Sequence, residues 1–268
     1  MKLIIKYIFY ILLFIFNLSF AFSAEFNGKF VQGSFILGKT EPGSTVLIDD
    51  RKIRVTKDGF FAFGLDRDRK NDVIIKVKKN KKIKIYEKKI IKREYKIQRI
   101  DGLPPKQVTP PPEVYERIKK DNVLIGKARS IDTAYDFFKN NFIYPIDKYI
   151  ITGVYGSQRI LNGKPRRPHY GIDFHAPEGT PVKAMMDGEV TLSEKDMYFT
   201  GGTIIFDHGH GISTLYMHMK DINVKVGQKV KKGQIVGTLG QSGRATGPHL
   251  DIRLNWFDVK LDPASILN

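Results

Sequence analysis

Between residues 26 and 100 the apolar positions come in short runs with the period of a strand. Val73, Ile75 and Val77 recur at every second position, which is how a strand with one buried face reads. Asp58-Gly59, set between 52–56 and 60–63, predicts a hairpin, and residues 80–82 ahead of Ile83 and Ile85 predict a second. Pro42-Gly43 marks a further turn. Short strands at this spacing predict a small β-sandwich over residues 25–100. Residues 101–112 (DGLPPKQVTPPP) read as a stiff, extended linker. The period then lengthens: Val114, Ile118, Ala134, Phe137 and Phe138 fall at three- and four-residue steps, predicting a connector of one or two helices over 113–143. From 144 to 268 short apolar runs are divided by glycine turns such as Gly201-Gly202, Gly209 and Gly211, and no convincing helical stretch occurs. The expected fold is mostly β, with a compact antiparallel β domain in the C-terminal half.

The first residues break this texture. Lys2 and Lys6 precede an almost unbroken apolar run over 3–16, and small residues follow at Ser19, Ala21, Ser23 and Ala24. Residues 1–24 are expected to be a secretory signal peptide, with cleavage after Ala21 the better fit. The alternative is an uncleaved N-terminal membrane anchor. The chain has no Cys, so neither disulfides nor cysteine-linked lipid are available, and stability must come from the core or from a metal.

The net charge of +17 is unevenly spread. Residues 25–100 carry 21 Lys/Arg against 10 Asp/Glu, whereas residues 144–268 carry 15 against 12. An exported basic module is drawn to an anionic envelope surface; the plainer reading is a solvated lysine-rich face. Nucleic acid is not expected as a partner, because export would remove the chain from it.

Three segments of the C-terminal half hold histidines in suggestive settings: His169-Tyr-Gly-Ile-Asp173, Leu215-Tyr-Met-His218 and Gly247-Pro-His249-Leu-Asp251-Ile-Arg253-Leu. In the third, Leu250, Ile252 and Leu254 point one way and His249, Asp251 and Arg253 the other. Tyr216 and His218 are likewise expected to share a face. Imidazoles and carboxylates on facing strands, with a position left for water, are what an open metal site in a β groove requires. Any one of these histidines alone is more often a hydrogen-bonded structural residue.

Residues 169–251 also resemble the lysostaphin/LytM-type zinc endopeptidases of bacterial cell walls. The likeness covers HYGIDFHAPEGTPVKAMMDGEV, GGTIIFDHGHGISTLYMHM and VKVGQKVKKGQIVGTLGQSGRATGPHLD, glycine turns included, and runs from about Tyr149 to Pro263. The N-terminal half shares none of these motifs. The resemblance implies that His169 and Asp173 bind zinc, that His218 positions or polarises the reacting groups and stabilises the developing oxyanion, and that His249 is the general base. It implies hydrolysis of peptide cross-links in peptidoglycan, and export then places the protein in a periplasm.

One position departs from the pattern. Where the family has a second histidine as third zinc ligand, this chain has Asp251. A carboxylate oxygen ligates zinc well, but it neutralises a dication that the usual set leaves positive, and oxygen-rich sets also suit manganese. Arg253 is expected to restrain Asp251, or to pair with it in a groove without metal. His175, two residues after Asp173, is a candidate substitute ligand, although a surface role fits it better. His208 and His210 are expected to be structural. The rival reading is a catalytically degenerate relative that binds the wall or activates another wall hydrolase.

Overall fold

The computed structural model describes residues 23–102 and 108–267; the expected signal peptide lies almost entirely, and the linker in part, outside them. Among the described residues the N-terminal module holds strands β1 (Ala24–Asn27), β2 (Phe35–Thr40), β3 (Thr45–Ile48), β4 (Arg51–Ile53), β5 (Phe60–Gly64), β6 (Val73–Lys79) and β7 (Lys82–Lys88). β1-β2-β5 form one sheet and β4-β3-β6-β7 a second, the two layers of the expected sandwich. The β6–β7 hairpin forms as expected, with Asn80 at φ 52° in its turn. The Asp58-Gly59 hairpin does not. The turn closes, with Gly59 N–H donating to Thr56 O, but β4 pairs with β3 in one sheet and β5 with β2 in the other. Two core faces have to be covered, and the chain crosses between layers at that turn instead of folding back.

β8 (Ile97–Ile100) leaves the sandwich and pairs in parallel with β10 (Gln158–Leu161), which folds back on β11 (Lys164–Pro165). The connector contributes one α-helix, α1 (Tyr115–Arg129), and then only a 3-10 turn at Phe137–Lys139. The second part of the expected helical stretch is therefore irregular, because Phe138 and Phe142 are inserted singly into the core.

The C-terminal sheet comprises β9 (Ile150–Gly153), β12 (Ile172–His175), β13 (Pro181–Lys183), β14 (Gly188–Met197), β15 (Gly201–Asp207), β16 (Ile212–Ile222), β17 (Lys229–Val230), β18 (Ile235–Leu239), β19 (Leu250–Trp256) and β20 (Val259–Leu261). Its main path runs β17-β14-β15-β16-β19-β12-β9. One continuous hydrophobic cluster, from Phe35 to Leu267, joins the sandwich to this sheet. The seam is polar as well: Arg67 Nε and Nη2 donate to Gly156 O at 3.0 and 2.6 Å, and Arg93 meets Asp262 at 2.6 Å.

His208 and His210 are buried, as expected of structural residues. The His208 ring lies 2.8 Å from both Asp187 O and Thr214 Oγ1. Burial pushes both imidazoles down to about 4. Unfolding releases them to about 6.5, so between pH 6.5 and 4 the unfolded chain binds more protons and stability falls as pH falls. The loss is expected to approach about 3 kcal/mol per histidine by pH 4. Urea unfolding at pH 7 and 5 should show it, and His208→Asn should flatten the slope while lowering stability at pH 7.

Candidate metal centre

The site is built where β12, β16 and β19 meet. Ile172, Phe174, Leu250, Ile252 and Leu254 are buried in the core. Strand alternation therefore turns Asp173 and Asp251 to the opposite face, where they stand directly opposite each other across the β12–β19 ladder. Like charges in that relation repel, and both carboxylates are buried, at 7% and 3% exposure. Such a pair needs positive charge. His169, 1% exposed, brings Nε2 to 3.1 Å from Asp173 Oδ1 and Nδ1 to 4.0 Å from Asp251 Oδ2.

One ligand atom from each of His169, Asp173 and Asp251 lies within 4.8 Å of the others. Both His169 ring nitrogens and Asp173 Oδ1 are buried without a hydrogen-bond partner. Buried polar atoms are normally paired; an orphan imidazole nitrogen and an orphan carboxylate oxygen, with an Asp251 oxygen in reach of both, fit a cation held between them. His169, Asp173 and Asp251 are thus the residues that would hold a metal.

Two glycines make room for the carboxylates. A Cβ on Gly153 would sit 2.1 Å from Asp173 Oδ2, and one on Gly171 2.1 Å from Asp251 Oδ1. Two arginines hold them. Arg253 grips Asp251 through Nη2 at 2.9 Å and Nε at 3.3 Å, and Arg159 Nη2 reaches Asp173 Oδ2 at 3.3 Å. Burial alone would raise the Asp251 carboxyl, but Arg253, His169 and His218 hold it well below the usual carboxylate range. It stands ionised, ready to ligate.

His218 and His249 complete the group, with ring centroids 4.6 Å apart and His249 Nε2 4.0 Å from Asp173 Oδ1. The expectation that Tyr216 and His218 share a face is not met. Tyr216 lies opposite Ile252 in the core, where the Met185 N–H donates to its hydroxyl. Two residues later a β-bulge against β15 puts His218 at φ 65°. The bulge re-aims its ring out of the core and towards His249. Each ring keeps Nδ1 at 2.8 Å from a backbone carbonyl, His218 on Ser242 O and His249 on Gly247 O. A carbonyl only accepts, so Nδ1 carries the proton in both and Nε2 presents its lone pair. Burial, against the pull of Asp251, pushes His218 down to about 4, so that ring is neutral.

His175 stands apart. It is exposed, with Nδ1 2.8 Å from Pro248 O, and supplies no ligand to the group. Gly153, Gly171, Arg159 and Ser242 escaped the sequence reading. A glycine directly before the Ile-Asp of the first motif was a signal for Gly171; nothing in the sequence linked Arg159 to Asp173.

Residues 167–263 match the model of Peptidase family M23. This part of the chain belongs to peptidase family M23. It is 41% identical over 113 residues to the peptidoglycan DD-endopeptidase ShyA of Vibrio cholerae, which covers 41% of this chain and 26% of that protein. It is 45% identical over 100 residues to ShyC of the same organism, covering 37% and 23%. The matches thus span about a quarter of those relatives. A Pseudomonas aeruginosa crystal structure described as a peptidase M23 superposes with a TM-score of 0.69 at 24% identity, covering 89% of this chain and 95% of that one. At that identity the likeness is one of fold, and it extends through the N-terminal module.

Proposed function

We propose that this chain is an exported, metal-dependent endopeptidase that hydrolyses peptide cross-links of bacterial peptidoglycan in the periplasm. The observation that carries the reading is the convergence of one ligand atom each from buried His169, Asp173 and Asp251, those of His169 and Asp173 without a hydrogen-bond partner, beside two imidazoles that present Nε2. The M23 match and the peptidoglycan endopeptidases among the relatives support the substrate class. A degenerate relative is disfavoured, because His169, Asp173, His218 and His249 all keep working positions.

The metal, zinc or the manganese that an oxygen-rich set admits, would polarise the scissile carbonyl and acidify water. The rest falls to the chain. His249 Nε2 accepts the proton of the attacking water, and its Nδ1–H on Gly247 O fixes the ring for that task. Passing the proton to the departing amine restores the ring. The role expected for His218, donation to an oxyanion, needs a proton on Nε2 that the neutral, Nδ1-protonated ring lacks. In that state His218 orients water or a substrate N–H as an acceptor, and serves an oxyanion only after taking up a proton. Asp173 and Asp251 stay ionic partners throughout, held by Arg159 and Arg253.

Elemental analysis of the purified chain should return close to one metal per chain, and digestion of purified sacculi should release cross-link fragments. A metal-free protein after gentle purification, inert on sacculi, would overturn the reading.

For the N-terminal module we propose contact with an anionic envelope surface. The outward face of β6 and β7 interleaves Ile74, Ile83 and Ile85 with Lys76 and Lys78, and all three isoleucines are exposed. Anionic vesicles should pull down the chain where neutral ones do not, and raising salt from about 0.1 M to 0.5 M, which shortens screening below about 5 Å, should release it. Binding indifferent to salt would leave those lysines as solvated surface.

A further inference from the structure

Two of the three residues that would hold the metal are themselves held by a short segment, 156–159, which lies before the 167–263 stretch that matches the family model. Gly156 N–H donates to His169 O at 2.7 Å, and His169 N–H donates back to Ser157 O at 2.9 Å. These two bonds fix the backbone that carries the imidazole of the group. Farther along, Arg159 Nη2 reaches Asp173 Oδ2 at 3.3 Å. The segment thus sets the His169 backbone and one Asp173 oxygen, while Asp173 Oδ1 and the His169 ring nitrogens keep no hydrogen-bond partner.

That segment is gripped from the N-terminal module by two arms. In the first, Arg67 is 9% exposed and donates to Gly156 O through Nε at 3.0 Å and Nη2 at 2.6 Å. The Tyr95 ring lies against the Arg67 guanidinium, 4.1 Å from its centre, and so close to Gly156 that a Cβ there would sit 2.1 Å from it. Gly156 also stands at φ 86°, which favours glycine. The second arm is β8. Gln158 N–H donates to Lys96 O at 2.9 Å, and β8 pairs with β10 from Gln158 to Leu161. Gln98 Oε1 accepts from Arg159 Nε at 3.3 Å, which aims the guanidinium with Nη2 on Asp173. One arm therefore ends on His169 and the other on Asp173. The apolar cluster shared by the two modules would dock them without either arm. Groups that orient metal ligands from outside contribute to metal affinity, because a ligand set tolerates little displacement.

We infer that the N-terminal module is a working part of the metal centre, with Arg67 and Gln98 as positioning residues that act on His169 and Asp173 through Gly156 and Arg159; this rests on the metal-dependent reading above. Coupling of this kind is reciprocal, so a metal held by the group tightens the pairing of β8 with β10.

The test titrates the full metal-free chain with zinc in competition with a chromophoric chelator, and with manganese if zinc does not bind. Arg159→Gln should weaken binding about 10- to 100-fold, and Arg159→Lys, which keeps the charge, should recover part of that loss. Gln98→Ala and Arg67→Lys alter residues that touch no ligand, and each should weaken binding about two- to thirtyfold. Thermal unfolding of metal-free Gln98→Ala should match the parent, so that arm stands even if Arg67→Lys folds poorly. Parental metal affinity in a folded Gln98→Ala or Arg67→Lys chain would overturn the inference. Bound metal should also slow hydrogen exchange along β8 and β10 in the parent and not in Arg159→Gln; exchange there that ignores the metal would overturn it too. If the parent binds neither ion, the metal-dependent reading fails instead. Exchange of the His169 N–H then decides on the module, with faster exchange in Arg67→Lys supporting the grip and unchanged exchange overturning it.

Discussion

Asp251→Ala is expected to remove the metal and the hydrolytic activity together. Only His169 and Asp173 would remain, and two protein ligands hold a divalent ion poorly. The substitution also leaves Arg253 without its partner at 2.9 Å, so the metal-free fold should lose stability as well. Asp251→His separates these effects: it supplies an imidazole on the same face of β19 and should keep the metal. It leaves the bound ion with net positive charge, which should raise activity at neutral pH and shift preference from manganese towards zinc. Arg253→Ala should weaken metal affinity by about 10- to 100-fold, the usual effect of removing a group that orients a ligand. His175→Ala, remote from the group, should change neither quantity. Metal stoichiometry and sacculus digestion across the four variants decide the matter. Retained metal in Asp251→Ala would show that the third ligand lies elsewhere.

Why Asp251 was legible and Arg159 was not follows from the range of the interactions. The face of Asp251 is fixed by alternation with Leu250, Ile252 and Leu254, a property of seven consecutive residues. The His169–Asp173 pair is just as local. His218 marks the limit of that logic. Alternation with Tyr216 would have sent it into the core; only the bulge against β15, which depends on how Gly202 and Ile204 pair across the ladder, turns it to the site. The Asp58-Gly59 turn fails similarly. Its local chemistry is that of a hairpin, but the demand to cover two sheets decides where the next strand goes. Arg159 needs three long-range facts at once: β8 leaving the sandwich, its parallel pairing with β10, and the placement of that hairpin over Asp173. None has a local signature.

His249→Ala is expected to lower kcat by about 10²- to 10⁴-fold while leaving metal content intact. The ring lies beyond the three-residue ligand group, with Nε2 4.0 Å from Asp173 Oδ1, so its loss removes a proton acceptor and not a ligand. KM should move little, since the ring acts on water. His218→Ala should also spare the metal, but it frees Ser242 O and with it the loop joining β18 to β19, and a fall in kcat is expected. The double variant is the discriminating one. The two rings are 4.6 Å apart and carry the same tautomer, both offering Nε2 to one small volume. If they serve a single proton path, losing the second ring adds little once the first is gone, as groups that act as a unit are strongly non-additive. Multiplying losses would instead mean two independent roles, and would assign His218 to the substrate rather than to the water.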